Sequence, residues 1–239
     1  MLDLPEFVEK VAVSALRQIA WFKTLDERIL DRIALEARRT SFSDGDRIWN
    51  AGDDATHFSF VEFGLVQIVK TNLRGDDATL GIFGPGEGVG NLAAMEGTPY
   101  PAAALAASED VTLLRISAAA LTPMMQANTP LMTGANRSLI AHSKKLLSKI
   151  DVLCAGPVPA RLAVLFLQLA DRFGQPAEDT GAFIPIALSR GALGRLVSAR
   201  EETVIRVLAE WKDLGWVTTS PTGFHIRAVS QLESITSGE

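Results

Sequence analysis

Apolar positions change their spacing several times along this chain. Residues 6–38 carry them at helical intervals with no strand alternation. Beyond Arg39 the runs become short: Ile48 with Trp49, then 58–61 and 65–69, separated by Gly45, Gly52 and Gly64 with turn-forming neighbours. Regular punctuation of this kind predicts antiparallel strands in a small roll or barrel, continuing through "ATLGIFGPGEGVG" and "EDVTLLRI". After Pro130 the period turns helical, and Met132, Leu139, Leu146 and Leu153 fall seven apart, with Asn136, Ser143 and Ile150 on the adjoining seam. A heptad in one long helix wants a partner. Either the helix packs on its own domain, or it meets a second copy in a parallel homodimer through Met132, Leu139, Leu146, Ile150 and Leu153. The two polar seam positions favour the dimer, because they suit a short, register-specific contact.

"CAGPVPAR" then breaks the helix with Pro157 and Pro159, as a hinge or domain boundary would. An apolar helix at 161–173, a polar loop "GQPAEDTG", a short extended "FIPIA" and two helical segments at 189–197 and 198–214 follow. Two strand-like runs flank the turn at 220–223. Helix, helix and hairpin predict a winged helix-turn-helix. The expected class is therefore α+β, with an N-terminal β-roll (jelly roll) at 1–125, a dimerisation helix at 126–155 and the winged domain at 156–239.

Composition narrows the reading. A chain of 239 residues with 47% hydrophobic content can bury a proper core. Its apolar stretches are too short to span a bilayer, and "MLDLPEFVEK" lacks a basic segment followed by an apolar one, so the expectation is a cytoplasmic protein without membrane contact. A net charge of −5 argues against broad affinity for nucleic acid but leaves room for a local basic surface. A lone cysteine, Cys154, excludes an internal disulfide and any iron–sulfur or zinc site drawing four thiolates from one chain. No metal-ligand cluster, phosphate loop or nucleophile–base arrangement stands out, so no enzyme is expected.

The stretch "SAREETVIRVL" carries the candidate chemistry. Ser198 and Glu201 match the S-x-x-E capping box. Glu202 and Arg206 lie four apart on one helix face with Thr203 beside them, an ordinary surface pair in isolation. Between a preceding helix and a following hairpin, that face could meet a major groove. There arginine donates twice to guanine, and a glutamate accepts from cytosine while holding its arginine neighbour in one rotamer.

"LSRGALGRLVSAREETVIRVLAEWKDLGWV" resembles, without gaps, the helix-turn-helix of the CRP/FNR family of bacterial transcription regulators, whose recognition helix carries E-T-V-x-R, here Glu202 to Arg206. "GDRIWNAGDDA" and "FGLVQI" resemble that family's cyclic-nucleotide-binding-type domain in the expected order. The resemblance implies base reading by Glu202, Ile205 and Arg206, phosphate contacts by Arg190, Arg200 and Thr203, double-stranded DNA as partner, a homodimer, and RNA polymerase at the promoter. Ser198 stands where the family usually has glycine, and Glu201 where the cyclic-AMP receptor branch has arginine.

The effector is less determined. In the family, an arginine and a glutamate after "G-E-x-x-G" meet the phosphate and ribose of a cyclic nucleotide. The matching stretch "GPGEGVGNLAAMEGTPYPAAALA" has no lysine or arginine, with Asn91 at the glutamate position and Tyr100 and Pro101 near the arginine. Cyclic AMP is accordingly ranked below haem, because "AAMEGTPYPAAALAA" and "ANTPLM" look most like the Dnr type, regulators of denitrification that respond to nitric oxide through haem. His57, His142 and His225 are the available imidazoles, each with a duller reading as a surface, helix or wing residue. Phe83, Asn91, Leu92, Met95, Tyr100 and Leu105 are the expected pocket lining. The rival expectations are a cyclic-AMP-responsive regulator and a small-molecule-binding module whose C-terminal domain contacts protein.

Overall fold

A computed structural model describes residues 11–71, 77–177 and 181–237; the helical reading of 6–10 and the centre of the loop at 178–180 lie outside them. The chain divides into two compact units, 1–70 with 82–143 and 71–81 with 144–239.

The first unit opens with two helices, α1 (Val13–Gln18) and α2 (Glu27–Glu36). Along the chain follow the strands β1 (Ala37–Ser43), β2 (Arg47–Trp49), β3 (His57–Phe63), β4 (Val66–Thr71), β5 (Asp77–Phe83), most of which is counted with the second unit, β6 (Gly88–Val89), β7 (Ala103–Ala106) and β8 (Asp110–Ser117), with a short helix α3 (Asn91–Glu96) after β6. Then come α4 (Ala118–Ala127) and a long helix, α5 (Thr129–Cys154), which leaves the first unit after Ser143. The strands form two four-stranded sheets, ordered β1-β8-β3-β6 and β2-β7-β4-β5.

This corrects the expected jelly roll. Both sheets are open: β1 and β6 end one, β2 and β5 end the other, and among the described residues no ladder joins an end strand back to close a barrel. Each sheet has one end strand too short for closure. β6 has two residues and β2 three, and the β2–β7 register slips between Arg47 and Trp49, where a bulge interrupts pairing.

Alternation along the central strands sorts side chains to two faces. Phe58 and Phe60 of β3, with Leu114 and Ile116 of β8 opposite, project to one face. Trp21 meets Phe58 and Phe60 edge-on at 5.7 and 5.1 Å, and Phe22 lies 5.0 Å from Phe60. Ser59 and Val61 of β3, with Arg115 and Leu113 of β8, share the opposite face. Close approach explains one glycine of α5: a β-carbon at Gly134 would lie 2.4 Å from the Trp21 carbonyl oxygen.

In the second unit, Gly156 and Pro157 separate α5 from α6 (Val158–Phe173), with Pro159 in the first helical turn, where its missing N–H has no helical partner to lose. Next come β9 (Gln175–Pro176), β10 (Ala182–Ile184), α7 (Arg190–Val197), α8 (Glu201–Asp213), β11 (Val217–Ser220), β12 (Gly223–Ile226) and α9 (Val229–Ser237). The wing is a four-stranded sheet, β11-β12-β10-β9, rather than an isolated hairpin. Phe166 at the centre of α6 holds this core, 6.0 Å from Trp211 and 5.0 Å from Phe224.

Candidate nucleic-acid interface and effector site

Helix α7 starts on a serine. Ser189 accepts a hydrogen bond from the Ala192 N–H at 3.1 Å. The helix ends at Ser198, whose φ of +52° and ψ of +52° make it the one non-glycine residue with positive φ among those described. The turn is tight, with Ala199 N–H donating to the Gly194 carbonyl at 2.9 Å. A β-carbon at Gly194 would sit 2.8 Å from the Ala199 carbonyl oxygen, so this glycine permits the close connection of α7 to α8.

The expected capping box does not form. Arg200 is the N-cap of α8, and no side chain caps it; Ser198 is committed to closing α7. Glu201 has another place, its Oε2 lying beside Gly191 and near a guanidinium nitrogen of Arg195 on α7.

Helix α8 divides cleanly. Val204, Val207, Leu208 and Trp211 are buried at i, i+3, i+4 and i+7, the stripe that packs a helix on a core. Glu202, Ile205 and Arg206 are exposed on the other side, Ile205 by 48%. Glu202 and Arg206 form no ion pair in this structure, so the expectation that the carboxylate fixes the arginine rotamer is not met. An unpaired, solvated guanidinium keeps all five donors for an external acceptor.

The three phosphate candidates differ. Arg200 is exposed, and Thr203 is half-buried in the first turn of α8. Arg190 is bound within the protein: its Nη2 donates to Thr219 Oγ1 of β11 at 2.8 Å and its guanidinium lies 5.8 Å from the Phe224 ring centre. Burial draws its pKa below the ordinary guanidinium value. Arg190 thus ties α7 to the wing.

The candidate dimer face on α5 is apolar and exposed at Ile140, Leu146, Leu147, Ile150 and Leu153. Met132 and Leu139 are half-buried. The heptad count missed Ile140 and Leu147, although at 60% and 62% they are the most exposed apolar residues of the helix. On the same helix, Lys149 donates its Nζ hydrogen to the Leu196 carbonyl at the end of α7, and burial lowers its pKa to about 8.

In the first unit, the expected effector residues have separate partners. Asn91 is buried, and its Oδ1 accepts from the Ser59 backbone N–H at 2.8 Å. Tyr100 is buried and stacks on Trp49 with ring centres 4.3 Å apart. Phe83 is buried and stacks against His142 at 5.7 Å. Met95 and Leu105 are half-buried, and Leu92 is exposed on α3. A separate cleft of about 420 Å³ lies between α2 and α4, lined by Arg32, Leu35, Glu36 and Met124.

The histidines are placed apart. His57 bonds Thr56 Oγ1 through Nδ1 at 2.9 Å; burial and then Arg115 lower its pKa. His225 lies 4.5 Å from the Phe183 ring in the wing. No cluster of three metal-ligating side chains occurs among the described residues, and none of their helices is long and apolar enough to cross a membrane.

Residues 39–128 match the family described as the Cyclic nucleotide-binding domain, and residues 160–235 match the Crp-like helix-turn-helix domain. The chain is 24% identical over 197 residues to a CRP-like cAMP-activated global transcriptional regulator of Mycobacterium tuberculosis, covering 82% of this chain and 87% of the relative. It is 26% identical over 202 residues to the Cyclic AMP receptor protein of Thermus thermophilus, covering 84% and 89%. FixK2 of Bradyrhizobium japonicum has the same fold, with a TM-score of 0.71 at 17% identity over 83% of this chain and 96% of FixK2. These matches overturn the ranking of haem above cyclic AMP: the sensor half matches a cyclic-nucleotide family, and nothing in the matches or the histidine placement supports haem. They single out no sub-branch, the Dnr type included.

Proposed function

This chain belongs to the CRP/FNR family of transcription regulators, and from that premise we propose that it binds inverted-repeat DNA as a homodimer under the control of a cyclic nucleotide taken up by its N-terminal unit. It is a DNA-binding regulator with a cyclic-nucleotide-binding-like sensor domain, not an enzyme. In this reading residues 1–125 sense, 126–155 dimerise and 156–239 bind DNA, with RNA polymerase as the further partner at the promoter.

The observation that carries the reading is the outward face of α8, where Glu202, Ile205 and Arg206 stand exposed while the opposite stripe is buried. Arg206 presents two parallel donors suited to guanine O6 and N7, Glu202 an acceptor suited to cytosine N4, and Ile205 an apolar surface for a thymine methyl. Arg200 and Thr203 at the start of α8 take phosphate, as does Arg190 through the donors that its bond to Thr219 Oγ1 leaves free. Pairing of two subunits along Ile140, Leu146, Leu147, Ile150 and Leu153 sets two such helices to read half-sites about 34 Å apart. A cyclic nucleotide shifts the balance only by favouring one arrangement of that dimer over the other. Gel-shift titration against inverted repeats, with and without cyclic AMP, tests the whole. Specific binding with a steep negative salt dependence is expected. No preference over random duplex refutes the DNA reading, and identical affinity with and without nucleotide refutes the effector.

A further inference from the structure

The loop that holds an anion elsewhere in this architecture carries no cation here, yet the sheet supplies one from another strand. On the ladder of β3 with β8, Ser59 stands directly opposite Arg115, so both side chains leave the sheet on the same face. Ser59 is fully buried, and its Oγ has no hydrogen-bond partner. The Arg115 Nε is buried and equally without a partner, and no carboxylate pairs with this guanidinium among the described residues. Arg115 as a whole is half-buried, so its charge keeps some solvent, but a buried polar atom without a partner is unfavourable, and native proteins rarely keep two such atoms, Ser59 Oγ and Arg115 Nε, without a use.

The surroundings sharpen the point. Across β1, Arg115 faces a second arginine, Arg38, whose Nη1 turns away to donate to the Leu35 and Ala37 carbonyls at 2.7 and 2.9 Å. Like charges opposed across a ladder repel. Arg115 also lies within electrostatic range of His57 and Tyr100. The Tyr100 hydroxyl donates only weakly, at 3.5 Å, to the His57 carbonyl, while its ring is fixed against Trp49. The nearby carboxylate of Asp53 is occupied by the Asn50 N–H at 2.7 Å. Asn91 closes the edge: its Oδ1 holds the Ser59 N–H at the end of β6, and its Nδ2 is buried without a partner against Gly88.

We propose that Arg115, with the Ser59 and Tyr100 hydroxyls, forms an anion-binding site for a phosphate group, that of the cyclic phosphodiester of a nucleotide. The guanidinium supplies the charge, and the two hydroxyls supply neutral donors whose geometry the β3–β8 register and the Trp49 stack fix. The inference rests on the reading of the first unit as the effector domain, and it moves the positive charge from the loop to β8.

Isothermal titration calorimetry on the full chain with cyclic AMP, cyclic GMP and inorganic phosphate, combined with thermal unfolding, tests it. Arg115→Gln should weaken cyclic-nucleotide binding by about tenfold or more, and Arg115→Lys should restore part of it. Ser59→Ala should weaken it less. Ligand-free Arg115→Gln should unfold at the same temperature as the parent or higher, because a buried, unpartnered N–H has gone; a marked fall would show a structural guanidinium and overturn the proposal. Equal nucleotide affinity of parent and Arg115→Gln also overturns it, while leaving the effector reading intact. If no cyclic nucleotide binds but phosphate does, and only with Arg115 present, the site stands and the effector reading falls. Absence of heat from all three probes overturns both.

Discussion

Replacing Arg206 with alanine should separate reading from holding. Arg206 is exposed on α8 and has no partner among the described residues, so its truncation removes nothing from the subunit's own stability beyond about 0.5 kcal/mol. The whole effect then falls on the complex. A bidentate contact to guanine contributes about 1–3 kcal/mol of discrimination, and a symmetric dimer makes it twice, so the expected loss on the preferred inverted repeat is roughly 2–6 kcal/mol. On duplexes already changed at the contacted base pair, the same variant should lose little. Arg190→Ala provides the contrast. Its guanidinium holds Thr219 of the wing, so the variant should lower the unfolding temperature and weaken all sequences alike, with a salt slope shallower by about one per half-site. Fluorescence anisotropy over a salt series, with single-base variants of one half-site, reads both effects. Equal loss for Arg206→Ala on every sequence would place that arginine on phosphate and refute its base-reading role.

Other outcomes follow from particular contacts. Ser198→Gly should stabilise the protein by about 0.5–1 kcal/mol, because glycine removes the left-handed penalty at φ +52° and returns part of the gain as unfolded-state entropy; denaturant unfolding measures it, and an unchanged midpoint contradicts it. Leu147→Asp should yield monomers in sedimentation with an intact fold, since this side chain is 62% exposed in the single chain; a persistent dimer places the interface elsewhere. Gly134→Ala forces a β-carbon to within 2.4 Å of the Trp21 carbonyl oxygen and should destabilise the first unit by more than about 1 kcal/mol, visible as a lower unfolding temperature. Lys149, with a folded pKa of about 8 against an ordinary 10.5, is deprotonated in the native state where the unfolded chain still binds the proton. Between those values stability should therefore rise with pH relative to Lys149→Met. Parallel unfolding temperatures for the two proteins from pH 7.5 to 9.5 would show that the site is solvated.

The parts legible in the sequence are those whose pattern is local. The burial stripe of α8 and its exposed face are encoded within thirteen residues, and the two helices with their following strands announced themselves by spacing alone. The capping box failed for a physical reason: S-x-x-E is a local match, but the turn demands a left-handed residue at Ser198, which delays the start of α8 until Glu201. The heptad count found one edge of the exposed stripe on α5 and missed Ile140 and Leu147, because a straight helix of 3.6 residues per turn presents a broader face than a seven-residue repeat marks. Alternation and glycine punctuation gave the strands without saying whether the sheets close, and closure depends on pairing between distant ends. Helix α9 was missed because Leu232 is the only side chain it fully buries among those described.

The effector site shows most sharply where local reading ends. Scanning the loop after "GEGVG" for a cation finds none, and that absence counted against a phosphate ligand. A binding site, however, is assembled by register and not by proximity in the chain. Arg115 belongs to an unremarkable strand, "EDVTLLRI", where an arginine at a half-exposed position reads as a solvated edge residue. Its meaning comes from the residue across the ladder: Ser59, buried and unpartnered, which the sequence presents merely as one polar letter inside the apolar run "FSFV". Neither residue signals binding alone, and their opposition is fixed only once β3 pairs with β8 from Val61 to Leu113 and onward. A loop without a cation is therefore compatible with an anionic effector, provided that the sheet behind it has taken over the positive charge.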